Sequence, residues 1–125
     1  MGSAKTSDLK YFIRSSRVKP KTLERDGAHG VKVRYLVGRG EGATKFYLRQ
    51  YNVNPGGNTS LDNHAYEHEV YILKGKARVR VGKAINTVKA GDAIYIPSSV
   101  THQFKNVGKE ALVFLCVKGD EQLYA

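Results

Sequence analysis

Short apolar runs separated by turn residues recur along the whole chain, and no stretch keeps a helical period with caps. "KYFIR", "VKVRYLV", "KFYLRQYNV", "EVYILKG", "KARVRVG", "AINTVKA", "DAIYIP", "THQFKN" and "ALVFLCV" are strand-sized and rich in β-branched or aromatic residues. Between them lie "GRGEG", "NPGGN", "VGK", "AGD" and "PSS", clusters that favour turns over extended backbone. Nine such strands close most economically as an all-β sandwich or barrel.

Alternation assigns faces. In "KARVRV", Ala77, Val79 and Val81 point one way, and Lys76, Arg78 and Arg80 the other. In "HEVYILKG", His68, Val70 and Ile72 share one face, with Glu69, Tyr71 and Leu73 opposite. His68 therefore opens a row that otherwise reads as interior, while Glu69 falls on the solvated side with Glu67.

The 125 residues amount to one domain, and an apolar content of 41% is enough for a real core without disulfides or a structural metal. The single cysteine, Cys116, fits a reducing compartment. No apolar signal region opens the chain and no run of apolar residues is long enough to span a membrane, so the reading is soluble and cytoplasmic. The net charge of +10 is uneven: residues 1–49 hold 12 Lys+Arg against 4 Asp+Glu, and residues 50–125 hold 9 against 7. Tyr35, Tyr47 and Tyr51 lie near the basic part, but no recognition motif accompanies them. The excess is read as a solvated basic face that attracts an acidic ligand, and nucleic acid is not an expected partner.

Candidate chemistry centres on "LDNHAYEHEVYILKG", which carries His64 and His68. A His-Glu-x-x-His helix is excluded, because Glu67 precedes the second histidine and "PGGN" and "VYIL" oppose a helix. On a straight strand the two would lie about 13 Å apart at roughly 3.3 Å per residue, so one ion can take both only if the chain bends at "AYE". Asp62 and His64, two apart, face the same way. A third histidine, His102, follows a turn at Pro97-Ser98-Ser99 and shares a face with Phe104. His29, in "DGAHGV", reads as a loop residue.

Gly56, Asp62, His64, His68 and Gly75 stand at the intervals of the first signature motif of the cupin superfamily, and Gly91, Pro97, Ser99, His102 and Asn106 at those of the second. The chain thus resembles the small single-domain cupins, over roughly residues 46–117, with N-terminal strands and a basic loop in residues 1–45. The resemblance implies a jelly-roll β-barrel of two antiparallel sheets. It also implies one divalent transition metal (Mn, Fe or Zn) held by His64, His68, His102 and Asp62. Three positions depart from the family pattern: Asp62 replaces a histidine, His68 a glutamate and Ser99 a turn glycine. His68 in "YEHEVYILKG" resembles the all-histidine subgroup, often occupied by manganese.

Parity and resemblance together nominate Arg49, Phe104, Phe114 and Cys116 as cavity-lining residues. An interior Arg49 would suit a planar carboxylate. Cys116 reads either as a small buried hydrophobe or as a thiol near the metal. The implied activity is metal-dependent chemistry on a small molecule, dioxygenase-like first, with isomerisation or decarboxylation on the same site as further options. The alternative is a non-catalytic binding or sensing module. A homodimer is expected, with "KYFIR" the candidate strand for pairing across subunits.

Overall fold

The computed structural model describes residues 10–125. Its nine strands are β1 (Lys21–Thr22), β2 (His29–Val37), β3 (Phe46–Asn58), β4 (His68–Lys74), β5 (Lys76–Val81), β6 (Ala84–Lys89), β7 (Ala93–Ile96), β8 (His102–Asn106) and β9 (Leu112–Gly119). All pairings are antiparallel and run in the order β6-β5-β8-β3-β9-β4-β7, with β2 on β3 and β1 on β2. The sheet curls on itself: Ala77, Val79 and Phe104 from β5 and β8 share one core with Val70, Ile72, Phe114, Val53 and Val33 from β4, β9, β3 and β2. This is the all-β closure that the strand pattern predicts, in the jelly-roll form that the cupin resemblance implies. Among the described residues, no helix is long and apolar enough to cross a membrane.

The predicted faces hold. His68, Val70 and Ile72 are buried while Glu69, Tyr71 and Leu73 are exposed, and Ala77 and Val79 are buried between exposed basic residues. Each large apolar side chain removed from water contributes about 1.5–3 kcal/mol to folding, so β4 is anchored mainly by Val70 and Ile72.

β3 is the strand that changes sheets. Phe46 to Val53 pair with β9, and Asn58 pairs with Lys105 of β8. Between them "NPGG" is squeezed out of register, because His29 pairs with Asn58 whereas Val31 pairs with Val53. The sequence predicts a turn here; the structure makes it a wide bulge inside one strand. Gly57 permits it, since a Cβ there would sit 2.5 Å from the His29 carbonyl oxygen and 2.9 Å from that of Asn54.

Two expectations are corrected. Residues 10–14 ("KYFIR") form no strand: Lys10 N–H donates to Glu41 O at 3.2 Å, Phe12 is 97% exposed, and a 3₁₀ turn follows at Ser15–Arg17. Strand-forming residues make a strand only where they are paired, and the segment paired with β2 is β1, where Lys21 faces Val33 and Thr22 faces Lys32. His29 opens β2 and is not a loop residue, because Asn58 supplies its partner across the bulge.

Candidate metal centre

His68 is the first residue of β4, paired with Ile96 on one side and Lys118 on the other, and its alternation with Val70 and Ile72 turns it inward. His102 opens β8 and points in with Phe104 and Asn106. His64 comes from the connection between β3 and β4. There Asp62 and His102 exchange backbone hydrogen bonds at 2.9 Å each, after which the chain bends at residues 65 and 66. That is the bend that "AYE" was required to make. The Tyr66 ring stacks on His64 at 3.7 Å between centroids, and Ser99 N–H donates to His64 O at 2.8 Å. The turn of the second motif thereby holds the loop of the first.

These elements bring His64, His68 and His102 together, with one ligating nitrogen from each lying within 4.8 Å of the others. His64 Nε2 and His68 Nε2 are 3.0 Å apart. His64 and His102 each place Nδ1 2.9 Å from a backbone carbonyl, of Tyr66 and Val100 respectively. A carbonyl only accepts, so both Nδ1 atoms carry the proton and both Nε2 lone pairs are left for a ligand. Desolvation is the main cause that lowers the pKa of His68, to about 3, with the positive Arg49 next. Burial also lowers that of His64. Both imidazoles are accordingly neutral at pH 7, the state in which histidine ligates.

The donor set fits a metal. Three imidazole nitrogens suit Mn(II), Fe(II) or Zn(II). Two nitrogens on one ion at about 2.1 Å each, near a right angle, would be about 3 Å apart, the spacing of His64 and His68.

Asp62 lines the same cavity as His68 and His102, but its oxygens are engaged elsewhere. One accepts from Ser60 Oγ at 2.8 Å and the other from Arg25 at 3.3 Å. The cluster is thus three imidazoles with a carboxylate beside it.

Phe104, Phe114 and Cys116 line this cavity, which measures about 40 Å³. Arg49 is interior: its Nη2 lies 3.3 Å from His68 Nδ1 and 3.2 Å from Cys116 Sγ, and its guanidinium lies over the Tyr51 ring. Burial raises the Cys116 thiol pKa. A His68 that ligates through Nε2 carries its proton on Nδ1, where Cys116 Sγ, 3.3 Å away, is the available acceptor. Asn106 is structural, its side-chain amide donating to the Val53 and Glu110 carbonyls at 2.9 Å each.

The sequence reading missed Tyr51, Tyr66 and Arg25. Tyr51 was findable, being two residues from both Arg49 and Val53 on β3. Tyr66 and Arg25 sit on connections, where no periodicity announces a direction.

Residues 49–118 match the family described as "Cupin domain". The chain is 41% identical over 75 residues to 1-methylthio-D-xylulose 5-phosphate methylsulfurylase of Rhodospirillum rubrum, a match covering 60% of this chain and 48% of that one. The chain therefore spans about half the length of that relative. It is 29% identical over 109 residues to an oxalate-binding protein of Thermotoga maritima, covering 84% of this chain and 90% of that one. The solved structure of the polyketide cyclase RemF from Streptomyces resistomycificus superposes with a TM-score of 0.82 at 28% identity, over 89% of this chain and 80% of that one. With the fold, the motif positions and more than half of its length in agreement, this chain belongs to the cupin family.

Proposed function

We propose that the chain is a metal-dependent enzyme acting on a small anionic molecule, with His64, His68 and His102 as the metal ligands. The observation that carries this reading is the convergence of three imidazoles, His64 and His68 from one bent stretch and His102 from far along the chain, with Nδ1 of His64 and His102 bonded to a backbone carbonyl so that Nε2 faces the cluster. A metal held there would act as a Lewis acid toward oxygen atoms of a bound substrate. The chain's own groups would do the rest. Tyr51, Phe104 and Phe114 form a dry wall, with Phe114 stacked between the other two rings at 5.0 and 4.7 Å. Arg49 would attract the negative charge of the substrate, and Asp62 would keep Arg25 at the rim.

Two of the relatives named above are a methylsulfurylase and a cyclase, and neither name denotes a dioxygenase. Lewis-acid chemistry therefore stands ahead of dioxygenase-like chemistry as the proposed reaction type.

A second reading, a binding module without turnover, is favoured by the relative named an oxalate-binding protein, which matches over most of both chains. The two are separated by following small carboxylates and phosphate esters by NMR with protein loaded with Mn(II), Fe(II) or Zn(II). Product formation that is lost in His102→Ala supports the enzyme. Saturable binding with every ligand returned unchanged supports the module.

A further inference from the structure

Read in rows across β4, β9, β3 and β2, the inner face changes character toward one end. One row is Ile72, Phe114, Tyr51 and Val33; the next is Val70, Cys116, Arg49 and Tyr35; the next holds His68, Lys118 and Tyr47. The rows thus pass from apolar to basic and hydroxylated within three steps, and Tyr35 already stands at the exposed rim. Beyond the last apolar row lies a second cavity of about 320 Å³, lined by Tyr35, Arg39, Tyr47, Arg49, Lys118 and Glu121 among others. It shares no lining residue with the cavity of the histidines, and Arg49 stands between the two, its guanidinium touching His68 and Cys116.

Charge pairing singles out Arg49. Arg39 donates to Asp120 at 2.6 Å and to the Tyr47 hydroxyl, which also bonds Asp120. Lys118 donates to Glu121 at 3.2 Å and lies over the Tyr66 ring. Arg49 pairs with no carboxylate among the described residues, and its Nε is buried with no hydrogen-bond partner. An inward-facing guanidinium without a counter-charge is costly, and an anion bound from outside would supply that charge. Its planar fork matches a carboxylate or a phosphate. The cavity volume falls within the range of small-molecule sites.

We infer that this second cavity is an anion-anchoring subsite for a small molecule carrying a carboxylate or phosphate group, with Arg49 as its main anchor and Lys118 as a supporting charge. The anchored group lies on the side of Arg49 away from the histidines, so it is a remote handle and not the reacting centre. As a statement about substrate, this rests on the histidine cluster being the reacting centre; anion binding itself needs no metal.

The test is calorimetric titration of chelator-treated, metal-free protein with inorganic phosphate and with malonate. The expected result is saturable binding of at least one probe. It weakens about tenfold or more in Arg49→Met and by a smaller factor in Lys118→Gln, and it is unchanged in Lys83→Gln, which removes an exposed charge outside the cavity. Phosphate alone assigns a phosphorylated ligand, and malonate alone a carboxylate. If circular dichroism finds Arg49→Met unfolded, Lys118→Gln and Tyr35→Phe decide. No saturable binding of either probe, or the same affinity in wild type and in every folded cavity variant, overturns the inference. Metal content measured on the same preparations fails separately: anion binding without metal uptake keeps the subsite and removes the reacting centre, and metal uptake without anion binding does the reverse.

Discussion

His64 Nε2 stands 3.0 Å from His68 Nε2, although four residues of extended chain would separate them by about 13 Å. The difference is made by the bend at residues 65 and 66, by Tyr66 stacked on His64, and by the backbone hydrogen bond from Ser99 to His64. The site is therefore built by the loop as much as by the strands.

Ser99 has a left-handed φ of 59°, at the position where the cupin motif carries glycine. Left-handed backbone costs an ordinary residue about 1–2 kcal/mol. Ser99→Gly removes that strain but adds unfolded-state freedom, so its net effect is expected within about 0.5 kcal/mol of zero. Ser99→Val places a β-branched side chain there and is expected to lose about 2 kcal/mol, with weaker metal uptake because His64 is released. Thermal unfolding of both variants checks this; an unchanged Ser99→Val would contradict it.

Phe114 is 2% exposed and stacks between Tyr51 and Phe104. Phe114→Ala is expected to cost about 3–5 kcal/mol in urea unfolding. A loss under about 1 kcal/mol would mean that this wall is not packed as described.

The lowered His68 pKa has a sign that can be checked. Its folded value, about 3, lies below the ordinary 6.5, so between these pH values the unfolded chain binds the extra proton. Stability contributed by neutral His68 is full above about pH 6.5 and is lost as pH falls toward 3. Metal-free wild type should therefore lose stability on acidification from pH 7 to 4 more steeply than His68→Gln. Parallel slopes would show that His68 is not held neutral by burial.

Asp62 is bonded to Ser60 and Arg25, outside the three-imidazole cluster. Asp62→Asn should lower metal affinity by less than about tenfold, while His68→Ala removes it. An equal loss in both, measured by competition with a chelating dye, would place the carboxylate on the metal.

What the sequence made legible follows from periodicity. Val70, Ile72, Ala77 and Val79 were placed by alternation alone, and so was the inward direction of His68, whereas Phe104, Phe114 and His102 needed the cupin resemblance as well. Strand-sized patterning failed at "KYFIR", which has strand residues but pairs with no strand, and at "NPGG", where turn residues make a bulge within β3. Arg49 was legible as either surface or clamp, because parity fixes a face but not which face closes. The Arg25–Asp62 pair and the stacking of Tyr66 depend on loop paths that carry no period. The contrast between Arg49 and the paired Arg39 needs three-dimensional partners 81 residues apart, Arg39 and Asp120.

The most direct test of the central claim is the metal content of protein purified without a histidine tag or chelator, beside His64→Ala and His102→Ala. The account predicts close to one Mn, Fe or Zn ion per chain in the wild type and near none in either variant. No metal in the wild type after reconstitution with each ion, or undiminished metal in both variants, would contradict it.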